Sequence, residues 1–194
     1  MSDQEKLKNL VLAPYILKAT ALIGKQRDVG GNQFRHAFFT LGILLDYKIF
    51  DNPVLLKAAL IHDLIEDVEG INIAELRTID NQANEVVDLV LEVTRPKGED
   101  KITYLKRILE HGSQNAKILK VADRISNITD LHRSIYTRKK IIKELNQTDQ
   151  YVLPMAKLVN KDMYKELSDL IKIRRKQLFC FRLRDFFRFK KSKK

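Results

Sequence analysis

The chain of 194 residues reads as one all-α domain, a helical bundle carrying a basic C-terminal tail. Three observations predict this fold class. Apolar residues recur at helical spacing along most of the length. Only 7 Gly and 4 Pro are present, too little turn chemistry for a chain of many short strands. A hydrophobic content of 44% in a chain of this size is enough for a real core. No internal repeat or low-complexity linker interrupts it.

The periodicity predicts helices over residues 4–24, 33–47, 53–67, 73–77, 81–94, 101–111, 114–125 and 138–145, and a long one from residue 149 into the tail. Asn52 before Pro53 starts the third as an N-cap followed by a first-turn proline. Asn72 with Glu75 three residues on imitates a capping box at the start of the fourth. The sixth ends at His111 and Gly112, where a cation meets the helix dipole. Tyr151 and Pro154 begin the last.

Two runs far apart carry the chemistry: HDLIED at residues 62–67 and KVADRISN at residues 120–127, with His36 upstream of both. A helix turns once in ~3.6 residues, so Glu66 and Asp67 fall one turn beyond His62 and Asp63 on nearly the same face. Four polar groups on one turn ordinarily mark a solvated surface. Here the segment leading in, VLLKAALI at residues 54–61, is almost wholly apolar, and Leu64 and Ile65 continue it. Asp123 has the same setting, with Ile118, Leu119, Val121 and Ala122 before it and Ile125 and Ile128 after it. Buried His and Asp side chains without partners cost several kcal/mol, and a divalent cation satisfies them. Two buried acidic patches on two apolar helices point to one shared site, that of a metal-dependent phosphohydrolase.

These motifs resemble the HD-domain superfamily, and within it the hydrolase domain of RelA/SpoT-type alarmone enzymes, in particular the short stand-alone (p)ppGpp hydrolases. The resemblance runs from about residue 24 to residue 164. It rests on Arg27 in GKQRD, His36, His62 with Asp63, Glu66 with Asp67, VTRPKGED at residues 93–100, and Lys120, Asp123, Arg124 and Asn127. The H…HD…D pattern alone is shared by many nucleotide phosphohydrolases. The HDxxED run combined with KxADRxxN is much more specific.

The resemblance implies a single divalent ion, Mn2+ or another such as Fe2+, held by His36, His62, Asp63 and Asp123. The donor types agree: two neutral imidazoles and two carboxylates make a mixed nitrogen and oxygen shell suited to manganese or iron, and the one cysteine, Cys180, lies in the tail. Glu66 and Asp67 occupy the family's water-activating positions. Arg27, Lys120 and Arg124 supply cations for a highly anionic substrate, and Asn127 and Tyr151 complete the expected substrate contacts. By the same resemblance, attack would release pyrophosphate from the ribose 3′ side of guanosine tetra- or pentaphosphate and leave GDP or GTP. Structural roles compete at three of these positions: a core ion pair for Arg124, a helix end or a partner to Asp123 for Asn127, and core packing for Tyr151. His111 and His132 read as non-ligands near helix ends.

Four positions depart from the family pattern. Ala37 replaces the proline after the first metal histidine, Gln33 a tyrosine three residues before it, Asp28 a lysine after Arg27, and Thr129 an arginine. None is a ligand, but each bears on how substrate is held. Two other readings therefore stand beside the alarmone hydrolase: a superfamily enzyme acting on another nucleotide phosphate, such as a deoxynucleotide or a nicotinamide phosphate, and an alarmone-binding protein without turnover.

Charge is concentrated at the C-terminus. Residues 172–194 contain 11 Lys or Arg and one acid, Asp185, and so carry +10 of the net +11. Six large apolar residues, Phe179, Phe181, Leu183, Phe186, Phe187 and Phe189, interleave with the cations. The chain thus divides into a catalytic body, 1–171, and a tail, 172–194, that packs on the body or a second subunit, lies on an anionic membrane surface, or, less readily, binds nucleic acid. Apolar runs such as residues 9–17 fall far short of the ~20 residues of a membrane span. The polar start MSDQEK shows no secretory signal, and a lone cysteine suits a reducing compartment. The expected location is the cytoplasm, peripheral at the inner face of the membrane if the tail docks there.

Overall fold

The computed structural model describes the backbone of residues 2–191 and the side chains of residues 2–179. Among these residues it is all α, with one isolated bridge between Gln26 and Asn32 and no strand. The helices are α1 (Asp3–Lys8), α2 (Ala13–Ala19), α3 (Gln33–Asp46), α4 (Pro53–Ile61), α5 (Leu64–Asp67), α6 (Ile73–Leu76), α7 (Ala83–Val93), α8 (Lys101–His111), α9 (Gln114–Asp130), α10 (Arg138–Gln147), α11 (Leu153–Val159) and α12 (Lys161–Lys191).

The apolar run before His62 becomes the central helix. Leu55, Leu56, Ala58, Ala59, Leu60 and Ile61 of α4 are all buried, packed among α2, α3 and α7. Lys57 in their midst is also buried, because its Nζ donates to Asp80 Oδ2 at 2.6 Å and Gln82 Oε1 at 2.7 Å, and Tyr15 OH donates to the other Asp80 oxygen at 3.0 Å. That network satisfies a charge that burial alone would make prohibitive. The second helix of the site, α9, packs on α3, α7, α11 and α12. His36, the His62–Asp63 pair and Asp123 therefore reach one point from three mutually packed helices.

Three of the expected helices are broken. The span 4–24 divides at residues 9–12 because Pro14, at the start of α2, lacks the N–H that a continuous helix would bond to Leu10. The span 53–67 divides at His62 and Asp63, a turn between α4 and α5 that keeps near-helical dihedrals. The span from 149 divides twice. Pro154 cannot donate to the carbonyl four residues back, and a π-turn, Thr148–Val152, forms just ahead of it. Asn160 is then extended at φ −158°, and its side chain accepts from the N–H groups of Asp162 and Met163 at 2.9 and 3.0 Å to start α12. In the opposite direction, α9 runs one turn past residue 125, to Asp130.

The expected boundary at 171/172 falls inside α12, which continues unbroken across it. Arg174 donates to the carbonyls of Ile128 (2.9 Å) and Thr129, which end α9, and Arg175 reaches Asp149 (2.8 Å) and Asn146 (3.1 Å). Leu178 packs against the core. The start of the basic segment thus belongs to the body, while the phenylalanines from Phe181 onward lie outside the described side chains.

Candidate active site

Helix α3 begins at Asn32, whose side chain accepts from Arg35 N at 2.9 Å, and this cap sets His36 on the buried face of the first turn. His36 Nδ1 lies 2.9 Å from Ser126 Oγ, and its Nε2 lies 3.1 Å from Asp123 Oδ1 and 3.6 Å from Asp63 Oδ2. His62 Nδ1 donates to the carbonyl of Ala59 at 2.8 Å, which turns Nε2 toward the carboxylates as the nitrogen free to ligate once deprotonated. That Nε2 is buried without a hydrogen-bond partner, 3.3 Å from Asp63 Oδ2 and 4.0 Å from Asp123 Oδ1. Donor atoms of His36, His62 and Asp123 all lie within 4.8 Å of one another. An orphaned imidazole nitrogen facing two carboxylates fits a divalent cation held by His36, His62, Asp123 and Asp63.

Electrostatics supports the same arrangement. Burial works against a proton on either histidine. It prevails at His36, whose pKa is lowered, whereas at His62 the Asp63 and Asp123 carboxylates overturn it and push the pKa up to about 9. Burial would raise both aspartates, yet His62 holds Asp63 below the usual carboxylate range and Lys120 holds Asp123 well below it. The carboxylates stay ionised and ready to ligate.

The cluster lies in a cleft of about 380 Å³ that Glu66 and Asp67 also line. Glu66 Oε1 is 3.5 Å from Arg95 Nη2, and Asp67 Oδ2 accepts from Gln33 Nε2 at 2.6 Å. Burial, with the charge of Asp63 behind it, pushes Asp67 up to about 6. Opposite these acids stand cations. Lys120 Nζ is 2.8 Å from Asp123 Oδ2; Arg27 donates to Asn127 Oδ1 at 2.8 Å and pairs with Asp130 at 3.4 Å; Asn127 in turn donates to Asp123. Asn127 sits within α9 rather than at its end, so it links Arg27 to the metal cluster. Arg124 lines the cleft while its Nη1 pairs with Glu144 at 2.9 Å, and Lys101 joins the same carboxylate at 2.7 Å.

Tyr151 is the exception among the expected contacts. It is 7% exposed, packed in the core, and absent from the cleft wall. With Val152, Met155 and Ala156 it forms an inward stripe repeating at helical spacing, so core packing takes this side chain. The aromatic residues of the cleft are Tyr104 and Tyr136. His132 bonds Thr129 O at the surface, and His111 is exposed at the end of α8, both far from any ligand role. Sequence reasoning also passed over Ser126, Lys101 and Glu144. Ser126 carried a signal, since it follows Asp123 by three residues and so shares its face.

No family model matches the chain. Its fold is close to that of a solved structure described as "A metazoan ortholog of SpoT hydrolyzes ppGpp and plays a role in starvation responses", with a TM-score of 0.73 over 84% of this chain and 93% of that one at 20% identity. The fold is an all-α HD-domain fold. In sequence, the HD-fold chain is 37% identical over 114 residues to a mouse protein named guanosine-3′,5′-bis(diphosphate) 3′-pyrophosphohydrolase MESH1, covering 56% of this chain and 62% of that one. The human protein of the same name is 35% identical over 111 residues, with the same coverage. A probable guanosine-3′,5′-bis(diphosphate) 3′-pyrophosphohydrolase of Mycoplasma pneumoniae is 31% identical over 135 residues, 61% of this chain and 18% of that one. The chain spans less than two thirds of the length of the curated relatives it matches.

Proposed function

We propose that this HD-fold protein hydrolyses (p)ppGpp, releasing pyrophosphate from the ribose 3′ position and leaving GDP or GTP. The observation that carries the reading is the cluster of buried His36, His62 and Asp123 with half-buried Asp63, its orphaned nitrogen included, opening into a cleft walled by four further acids, Glu66 and Asp67 among them, and five cations. A divalent ion held there, manganese in our reading, supplies Lewis-acid polarisation of a phosphoryl oxygen and acidifies water. Glu66 and Asp67, one turn beyond His62 and Asp63, take the proton of the attacking water. That water's oxygen bonds to the phosphorus nearest the ribose, the bond to the 3′ oxygen breaks, and the 3′ oxygen leaves with the proton that the acids took from the water. Arg27, Lys120 and Arg124 face the phosphates, and Asn127 holds Arg27 and Asp123 in register.

Incubating the manganese-loaded protein with a panel of nucleotides and resolving the products tests this directly. The expected result is GDP from ppGpp and GTP from pppGpp, each with one pyrophosphate. Turnover of a deoxynucleotide or nicotinamide phosphate instead would move the protein to another superfamily activity. Tight binding of ppGpp with no product would make it an alarmone-binding protein.

For the tail we propose a peripheral role at an anionic membrane from the cytoplasmic side. No helix among the described residues is long and apolar enough to cross a membrane, but a basic, phenylalanine-rich segment suits its surface, where each cation contributes ~1 kcal/mol. Two truncations separate this from packing. Ending the chain after Phe179 keeps Arg174, Arg175 and Leu178, and is expected to abolish binding to vesicles containing anionic lipid while leaving Tm unchanged. Ending it after Ile171 removes the bonds to Ile128 and Thr129, and should also cost about 2 kcal/mol, or roughly 4–8 °C in Tm. Intact protein that ignores such vesicles at low salt would end the membrane reading.

A further inference from the structure

The cleft follows α9. Lys120, Asp123, Arg124, Asn127, Ile128 and Leu131 all line it, and at ~1.5 Å per residue this stretch spans roughly 16 Å. Its character changes along the way. The Lys120 and Arg124 end is cationic and holds the metal cluster, whereas the Ile128 and Leu131 end is walled by apolar Val29 and by Tyr136. Asp28 stands at this second end, because its carbonyl accepts from Ile135 N at 3.0 Å and so ties its loop to the segment carrying Tyr136.

The loop is rigid. Arg27 N bonds Gly31 O at 3.0 Å, Gly30 N bonds Arg27 O at 2.9 Å, and the two glycines take φ of 86° and 74°, which suits them alone. Val29 is 5% exposed and anchors the loop in the core. Asp28 is left half exposed at the cleft, with Oδ2 3.5 Å from Lys140 Nζ. A carboxylate on the wall of a polyanion site repels phosphate. Its place at the apolar end makes it an acceptor for neutral donors.

We propose that Asp28 reads the nucleotide base and selects guanine, an inference that rests on the cleft being a nucleotide-phosphate site. Guanine presents two adjacent donors on one edge, N1–H and the 2-amino group, spaced to meet the two oxygens of one carboxylate. Adenine presents a lone pair at N1 to the same carboxylate and is repelled. Inosine keeps only the N1–H. Tyr136, half-buried on the cleft wall with Lys140 Nζ 3.4 Å from its ring centroid, supplies the aromatic side chain beside which a base ring lies.

Calorimetric titration of the full chain with GDP, IDP, XDP and ADP, in wild type and in Asp28→Asn, tests the assignment. Wild-type protein is expected to bind GDP about tenfold or more tighter than IDP or ADP, the usual weight of a hydrogen bond to a charged group. In Asp28→Asn the amide accepts from N1–H and donates to the 2-oxo group of xanthine, so the preference should turn toward XDP. An unchanged GDP to XDP ratio in Asp28→Asn overturns the proposal and leaves Asp28 as an ion-pair partner of Lys140. If the base order depends on Asp28 but ppGpp is not cleaved, base reading stands and the proposed hydrolysis falls. If ppGpp is cleaved but the base order is indifferent to Asp28, hydrolysis stands and base reading falls.

Discussion

Asp63→Ala and His62→Ala are expected to lose the bound divalent ion and turnover together, with the rate down by more than about 10²-fold. Each removes a donor from a cluster whose members are already in place: His62 Nε2 sits 3.3 Å from Asp63 Oδ2, and His36 Nε2 sits 3.1 Å from Asp123 Oδ1. A lost donor is not readily replaced, since Lys120 and Asn127 surround Asp123 with hydrogen-bond donors and the nearby acids Glu66 and Asp67 are held by Arg95 and Gln33. Ser126→Ala provides the graded control. It removes only the partner of His36 Nδ1, 2.9 Å away, and should weaken metal affinity by about 10–100-fold while leaving the donor set whole. Metal content after desalting, measured by elemental analysis beside the rate, checks both. Full activity of Asp63→Ala in excess chelator would remove the cluster from the chemistry.

What the sequence made legible was the part written in short-range pattern. Apolar runs on either side of His62 and Asp123 require α4 and α9 to be central, and two central helices bearing polar groups have few ways to satisfy them except through each other. Partners that come from distant segments had no such pattern. Lys57 looked like an intrusion in an apolar run, and only Asp80 and Gln82, on the far side of α6, explain it. Glu144 gathers Arg124 and Lys101 from two other helices, a convergence visible only once α8, α9 and α10 are packed. Tyr151 fails for the opposite reason. A tyrosine in a helix serves a core as readily as a cleft, and the Val152, Met155 and Ala156 stripe decides for the core. Helix breaks at residues 9–12 and 160 depend on Pro14 and on the Asn160 cap, local signals that a reading by apolar period alone passes over.

Glu66→Gln and Asp67→Asn should keep metal stoichiometry near normal while lowering turnover by about 10²-fold or more, the usual scale for losing a general base. Neither carboxylate belongs to the donor cluster: Glu66 is paired with Arg95 and Asp67 with Gln33. The structure adds a consequence for stability at Asp67. Burial and the neighbouring Asp63 push Asp67 from an ordinary value near 3.8 up to about 6, so the folded protein holds that proton more tightly than the unfolded chain. Ionising Asp67 therefore costs stability, fully above pH about 6, and the cost disappears as pH falls below the ordinary value. An asparagine resembles the protonated acid and avoids it. Metal-free Asp67→Asn is thus expected to melt higher than metal-free wild type at neutral pH, with the difference shrinking as the pH is lowered through 6 toward 4. Slower turnover together with a higher Tm marks a group held in an unfavourable state for catalysis. If Asp67→Asn instead loses metal in proportion to its rate, or melts lower at every pH, Asp67 is a ligand or a structural acid and proton transfer must be assigned to Glu66 alone.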